Sequence, residues 1–147
     1  MLDAIFDPRR INLNLISKTK SDVLGELVET VKKTDSALDR QELLNAITMR
    51  ENKMTTIILP GVAVPHGYCS AIHGVIGAIG FSRGGIEFDR EYRDPVHLFF
   101  LLLMDELSRE QHLQVLGRLL EMINSAALGE ISGTESPQEL YKLLCRF

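Results

Sequence analysis

The sequence contains no tryptophan, only 6% aromatic residues and only two cysteines among its 147 residues. A chain of this length can bury a sufficient core without disulfide bonds, so Cys69 and Cys145 are predicted to be reduced thiols. Clusters of lysine and arginine are also absent, and the net charge is −4. This composition argues against a nucleic acid or an anionic membrane surface as the partner.

Long hydrophobic runs are scarce as well. The longest, at residues 98–104, is too short to span a bilayer, and the N-terminus lacks a basic region followed by an apolar one. We therefore expect no membrane insertion and a cytoplasmic location. The hydrophobic content of 45% is sufficient for one core, and residues 1–147 are predicted to form a single domain.

Amphipathic patterns predict two helices in the first third of the chain. Thr19 and Asp22 match a capping box, and apolar residues at helical spacing follow them to about residue 33. A second helix is predicted to end near Met49, which leaves Arg50 just past its end.

Two further helices are predicted in the last third of the chain. Ser108 and Gln111 match a capping box, so His112 falls in the first turn of the third helix. The buried face of this helix is predicted to consist of Leu113, Leu116, Leu120 and Ile123. The last helix is predicted to begin at Ser136, with Pro137 in its first turn.

Extended segments lie between the two helical pairs. Pro60 separates a short segment at 55–59 from the next one, and a glycine-rich strand at 74–82 is predicted to turn at 83–85. Residues 96–103 are continuously hydrophobic, which is typical of a central strand covered on both faces. Helices before and after such strands predict an α/β or α+β sandwich.

The segment from Gly61 to Gly67 ends a predicted strand in proline and histidine. Because Pro65 has no N–H, strand pairing is predicted to stop before His66. Gly67 is predicted to turn the backbone sharply and to leave the imidazole facing a cleft. A neutral imidazole at that position can carry a transferable group; the alternative is a turn histidine without a chemical role.

His112 and Arg50 are the predicted partners of His66. If the central strand lies beside residues 61–65, both imidazoles belong to the carboxyl edge of the sheet. A helix N-terminus favours an anion and disfavours a charged histidine, so a neutral His112 is predicted to donate to a phosphoryl oxygen. Arg50 adds a fixed positive charge. The alternatives are a surface histidine and a solvated arginine at a helix end.

Other arrangements compete with a phosphoryl site. His66, Cys69 and His73 offer three ligands for zinc, although their spacing matches no common zinc pattern. Cys69 near His66 also suggests a Cys–His nucleophile pair, for which no third residue is visible. His73 and His97 are predicted to be hydrogen-bonded residues of the core.

Three motifs occur together in this sequence: Gly-Val-Ala-Val-Pro-His-Gly at 61–67, Arg50-Glu51 upstream and His112-Leu113 downstream. With them the sequence resembles, over nearly its whole length, the enzyme IIA domain of the fructose/mannitol class of the bacterial phosphoenolpyruvate-dependent sugar phosphotransferase system (PTS), including its nitrogen-regulatory relatives. The resemblance implies an α/β fold in which a mixed β-sheet is flanked by helices on both faces, as a three-layer sandwich.

The resemblance also implies a phosphocarrier that needs no metal or other cofactor. His66 matches the histidine that accepts the phosphoryl group from the small carrier HPr and donates it to a cysteine of a IIB domain. His112 matches the assisting histidine, and Arg50 matches the arginine near the site. We further hypothesise that the N–H of Gly67 helps to stabilise the phosphoryl oxygens. The alternative within the family is a stand-alone regulatory protein whose phosphorylation state controls partner proteins. Formation of a homodimer stays open.

The sequence departs from the family pattern at three places. Residues 55–60 are stiffer and less polar than the usual Ser/Thr-Gly-Ile-Gly-Asn/Asp, Tyr68-Cys69-Ser70 replaces an often charged segment, and His97 stands where an aspartate is common. We interpret these differences as affecting the partner and the efficiency of transfer more than the phosphorylation site.

Overall fold

A computed structural model describes all 147 residues as a six-stranded mixed sheet between two helical layers. The elements are α1 (Leu2–Ile5), β1 (Phe6–Asn12), α2 (Lys20–Lys32), α3 (Arg40–Glu51), β2 (Ile57–Leu59), β3 (Val62–Ala63), β4 (His66–Tyr68), β5 (Val75–Ile86), β6 (Val96–Met104), α4 (Arg109–Ile123), α5 (Ala127–Ile131) and α6 (Pro137–Leu144). A turn of 3₁₀ helix, Glu106–Ser108, precedes α4. No helix is both long enough and apolar enough to traverse a lipid bilayer.

The sheet has β6 at its centre, as predicted. The strand order is β1-β5-β6-β3-β2, and β4 also pairs with β6. Strands β3 and β4 run parallel to β6, whereas β5 runs antiparallel to it. Because β4 and β6 are parallel, the helix that follows β6 begins at the same edge of the sheet as β4.

The core consists of two apolar clusters, one on each face of the sheet. Helices α1, α4, α5 and α6 cover one face, and α2 and α3 cover the other. Alternate residues of β6 enter the two clusters: Phe100 and Leu102 face the first, whereas Phe99 and Leu101 face the second. Burial on both faces explains the unbroken hydrophobic sequence of this strand.

Helix α4 presents only part of its predicted face to the core: Ile123 is buried and Leu116 packs against the core as predicted, whereas Leu113 and Leu120 do not. Its buried residues are His112, Val115, Leu119, Met122 and Ile123. The side chains of Leu113 and Leu120 are 67% and 44% exposed. The predicted cap is also wrong, because the Ser108 side chain makes no capping hydrogen bond and a 3₁₀ turn leads into the helix instead. The apolar residues of α4 occupy two adjacent stripes, and their spacing alone does not decide which stripe meets the sheet.

The other two predicted caps are confirmed. Thr19 Oγ1 accepts a hydrogen bond from the N–H of Asp22 at 3.2 Å, and Ser136 Oγ accepts one from the N–H of Glu139 at 3.2 Å. Each of these bonds satisfies an N–H group that the helix itself leaves unpaired. Helix α3 extends further than predicted, so Arg50 lies in its last turn.

The predicted turn at 83–85 does not form, because β5 continues to Ile86. Its pairing with β6 shifts register between Phe81 and Ile86, and Gly85 adopts a φ of 77° within that irregular stretch. Glycine tolerates this backbone region, so the glycines accommodate a bulge in a continuing strand.

Candidate functional site

His66 begins strand β4, whereas the sequence had predicted it to follow the end of a strand. Pairing is interrupted at Val64 and Pro65 and resumes where His66 lies opposite Leu102 of β6. The ring Nδ1 of His66 lies 2.9 Å from the carbonyl oxygen of Val64. A carbonyl oxygen only accepts, so Nδ1 carries the proton and the neutral ring keeps its lone pair on Nε2. Nε2 is therefore the nucleophilic atom.

His112, in the first turn of α4, lies beside this ring. The centroids of the two imidazoles are 5.2 Å apart, and their planes are inclined at 46°. The side chain of His112 is buried, and its Nε2 has no hydrogen-bond partner. Buried polar atoms are rarely left unpaired, so this nitrogen is available to a group bound between the rings. The two histidines lie together as expected, and their chemical roles stay predictions.

Burial makes both imidazoles less basic. It lowers the pKa of His112 to about 4, with a smaller contribution from the charge of His66. Burial also lowers the pKa of His66, as does the charge of Arg50, whereas the hydrogen bond to Val64 and the charge of Glu51 oppose this shift. Both rings are consequently neutral near pH 7, and an unprotonated His66 is the form that attacks phosphorus.

Arg50 and His66 line the same cavity, which we term the histidine cleft. It has a volume of about 280 Å³ and is lined by Arg50, Met54, Thr55, Thr56, Ile57, Ile58, Val64, His66, Leu116 and Leu120. The Nη1 of Arg50 donates a hydrogen bond to the carbonyl oxygen of Met54 at 2.8 Å. The cleft thus combines one cation and one nucleophile with largely apolar walls.

Gly67 does not form the predicted sharp turn but continues β4, since positive φ angles occur only at Gly61, Gly74 and Gly85. A Cβ at Gly67 would lie 2.7 Å from the carbonyl carbon of Ala46 in α3. The missing side chain therefore allows the strand that carries His66 to pack directly on the helix that carries Arg50.

The structure contradicts the zinc alternative. No group of three or more His, Cys, Asp or Glu side chains is arranged to hold a metal ion, so His66, Cys69 and His73 do not form a site. The side chain of His73 is exposed, contrary to its predicted place in the core. His97 is hydrogen-bonded as predicted, because its Nδ1 lies 2.8 Å from the carbonyl oxygen of Ser82.

The Cys–His nucleophile pair is not supported either. The thiol of Cys69 donates to Oε1 of Glu42 at 3.6 Å, and burial raises its pKa. A nucleophilic cysteine requires a lowered pKa. Both cysteines are free, as predicted.

Sequence reasoning missed the apolar wall of the cleft. Leu116 and Leu120 line the cavity, and Leu113 continues the same stripe of α4 toward solvent. The sequence does contain a signal for this wall: the apolar residues of α4 cover a wider arc of the helix than one buried face requires. Helical spacing alone assigns all of these residues to the core.

Residues 4–146 match the family model described as "Phosphoenolpyruvate-dependent sugar phosphotransferase system, EIIA 2". The chain belongs to this family. A fructose-specific PTS EIIABC component of Bacillus subtilis is 33% identical over 113 residues, which are 77% of this EIIA chain and 18% of that protein. A nitrogen regulatory protein of Pseudomonas aeruginosa is 26% identical over 97% of this chain and 94% of its own.

Solved structures of EIIA proteins share the fold. The nitrogen regulatory protein IIA-Ntr from Neisseria meningitidis has a TM-score of 0.87 at 26% identity, over 97% of this chain and 98% of that one. Enzyme IIAMTL from Escherichia coli, solved with phosphorylated enzyme IIBMTL, has a TM-score of 0.79 at 19% identity, over 97% of this chain and all of that one. These likenesses confirm the predicted mixed sheet with helices on both faces.

Proposed function

We propose that this chain is a cytoplasmic phosphocarrier of the phosphotransferase system, working as one domain over residues 1–147. His66 accepts a phosphoryl group from the phosphohistidine of an HPr-like protein and passes it to a cysteine of a IIB domain. The observation that carries the proposal is the pairing of a nucleophilic Nε2 on His66 with the unpartnered, buried Nε2 of His112.

The transfer step exchanges one N–P bond for another. The lone pair on Nε2 of His66 attacks the phosphorus, and the N–P bond of the donor breaks in line, with its electron pair returning to the donor imidazole. No base has to remove a proton from the attacking nitrogen, because the Nδ1–H stays hydrogen-bonded to Val64. Such a reaction depends mainly on positioning and on stabilisation of the phosphoryl oxygens.

The residues around the ring fit that requirement. His112 offers an unpaired nitrogen beside the ring of His66, and Arg50 brings a guanidinium to the cavity in which His66 lies. Each is assigned to a phosphoryl oxygen. A third contact, through the N–H of Gly67, stays a prediction, and it competes with the parallel ladder that this residue of β4 forms with β6.

The rim of the cleft suits a protein donor and a protein acceptor. Met54, Ile58, Leu113 and Leu120 are 68%, 40%, 67% and 44% exposed. Large apolar side chains exposed next to a reactive group are typical of a protein docking surface. Exclusion of water by the docked partner also protects the phosphoryl group from hydrolysis.

The test is to incubate the chain with phosphoenolpyruvate, enzyme I and an HPr-like carrier and to locate the added phosphate by mass spectrometry at neutral or alkaline pH. We expect a single phosphoryl group on His66. His66→Ala should take up none, whereas His73→Ala, which changes an exposed histidine outside the cleft, should be labelled like the wild type. Label retained by His66→Ala contradicts the proposal.

A regulatory role is the second candidate. It is favoured by the nitrogen regulatory relative, which matches 97% of this chain and 94% of its own length. In that case the phosphorylated and unphosphorylated forms differ in their binding to target proteins. Adding purified IIB domain to the labelled chain separates the two roles, because only the transport role predicts rapid loss of label from His66 to a IIB cysteine.

A further inference from the structure

Glu51, at the C-terminal end of α3, is a carboxylate buried to 3% exposure. Its Oε2 accepts a hydrogen bond from Thr56 Oγ1 at 2.6 Å, and its Oε1 accepts one from the Thr56 N–H at 3.1 Å. Lys20 Nζ lies 3.1 Å from the same Oε1. A buried charge is costly unless it is paired and hydrogen-bonded, so this arrangement holds Thr56 firmly at both of its donors.

Thr56 connects this carboxylate to the reactive histidine. Its carbonyl oxygen accepts a hydrogen bond from the N–H of Val64 at 2.9 Å. The carbonyl oxygen of Val64 in turn accepts the Nδ1–H of His66, also at 2.9 Å. A continuous series of hydrogen bonds therefore runs from Glu51 through Thr56 and Val64 to the imidazole.

The series acts between two strands, where the central strand holds the chain through the carbonyl oxygen of Pro65, which accepts the N–H of Leu102 at 2.9 Å. Val64 lies between β3 and β4, and Pro65, which follows it, has no N–H to donate. The N–H of Val64 donates to the carbonyl oxygen of Thr56, which holds Val64 in place. The carbonyl oxygen of Val64 in turn sets the orientation and the tautomer of the His66 ring. A displacement of Thr56 would be passed on to the nucleophile.

We propose that Glu51, held by Lys20 and acting through Thr56, is a positioning residue for phosphoryl transfer to His66. It touches neither the phosphoryl group nor the ring, and its effect is to keep the Nδ1–H on Val64 and the lone pair on Nε2. The inference rests on the proposed phosphocarrier function, but the ring orientation it predicts can be measured without any partner protein.

The test removes the shortest bond of the series. Thr56→Val deletes the hydroxyl that donates to Glu51 while keeping the shape of the side chain, Thr56→Ser restores the hydroxyl, and Thr48→Val is a matched control on α3. The first readout is the ¹⁵N NMR spectrum of the His66 ring, which distinguishes the Nδ1–H from the Nε2–H tautomer. The second is the rate of His66 phosphorylation at saturating donor.

In Thr56→Val we expect a larger Nε2–H fraction and a phosphorylation rate lower by about tenfold. Thr56→Ser should behave like the wild type, and Thr48→Val should change neither readout. If Thr56→Val does not fold, Lys20→Met, which leaves Glu51 without its cation, is measured in its place with the same expected direction. An unchanged tautomer overturns the proposal, even where the rate falls, because the loss then does not pass through the ring. A wild-type chain that is never phosphorylated on His66 refutes the carrier function instead.

Discussion

The ring of His112 lies beside that of His66 with its Nε2 buried and unpartnered, although the first comes from a helix and the second from a strand. The parallel pairing of β4 with β6 produces this proximity, because α4 begins shortly after β6 ends. A polar atom left unpaired at that position has a ready partner in a phosphoryl oxygen on the neighbouring ring.

His112→Ala should therefore slow phosphorylation of His66 by about a hundredfold, as removal of one preorganised donor typically does. His112→Gln should recover part of the rate, because a glutamine amide can place its N–H close to the position of Nε2. Rapid-quench measurement of label transfer checks both variants. Equal rates for His112→Ala and the wild type would remove His112 from the mechanism.

Arg50→Ala should raise the pKa of His66, since the charge of Arg50 is one of the causes that lower it. An NMR pH titration of the His66 ring measures this shift directly. Phosphorylation should also slow by about tenfold, because a fixed positive charge near the phosphoryl oxygens is lost. The matched control is Arg118→Ala, whose guanidinium pairs with Glu121 at 3.0 Å on an exposed part of α4. A His66 pKa that does not move contradicts the assigned place of Arg50.

Gly67→Ala should destabilise the fold by about 1–3 kcal/mol, the usual cost of forcing an extra carbon into a packed site. The added Cβ would meet the backbone of Ala46 at 2.7 Å, and a helix backbone cannot rotate away as a side chain can. Urea denaturation measures the loss. Gly117→Ala in α4 is the control: apart from the backbone of its own helix turn, no atom lies within 4 Å of its Cβ position, so it should stabilise the fold by up to about 1 kcal/mol.

The sequence allowed the meeting of the two histidines to be predicted because strand ends and helix starts have local signals. Pro65 marks an interruption of pairing, and a helix following a central strand must begin at one edge of the sheet. The return of His66 to the sheet as β4 was not predictable, because it depends on the register of β6. Local rules describe where a strand stops, whereas pairing partners are set by the tertiary structure.

The exposed face of α4 and the Glu51 series were missed for a related reason. Leu113 and Leu120 are apolar at helical spacing, and nothing local distinguishes a residue that meets the core from one that meets a partner protein. The role of Glu51 arises from contacts with Thr56 and Lys20 on other segments. The sequence placed Arg50 and Glu51 near the end of a helix, but it did not indicate that the side chain of Glu51 is buried.

Leu120→Asp should weaken docking of the phosphorylated donor by about tenfold or more, seen as a higher KM with kcat little changed. The residue lines the histidine cleft and is 44% exposed, so the substitution alters the rim without opening a cavity in the core. Ile16→Asp is the control, because Ile16 is 80% exposed in the loop between β1 and α2. If both variants change KM equally, the effect is one of net charge rather than of the rim.

The pH dependence of stability tests the burial of His112. Its pKa is lowered from 6.5 to about 4 in the folded chain, so the unfolded chain binds this proton more tightly. The contribution of His112 to the free energy of unfolding should be complete above pH 6.5. It should fall as the pH decreases toward 4, by about 3 kcal/mol in total at 1.36 kcal/mol per pH unit. The His112→Gln variant lacks the titrating group at position 112, and it shares all of its carboxylates with the wild type, so their contribution cancels in the comparison. Urea denaturation of the two proteins should therefore give a shallower pH dependence for the variant across this range, and parallel curves would mean that the imidazole is accessible to protons in the folded state.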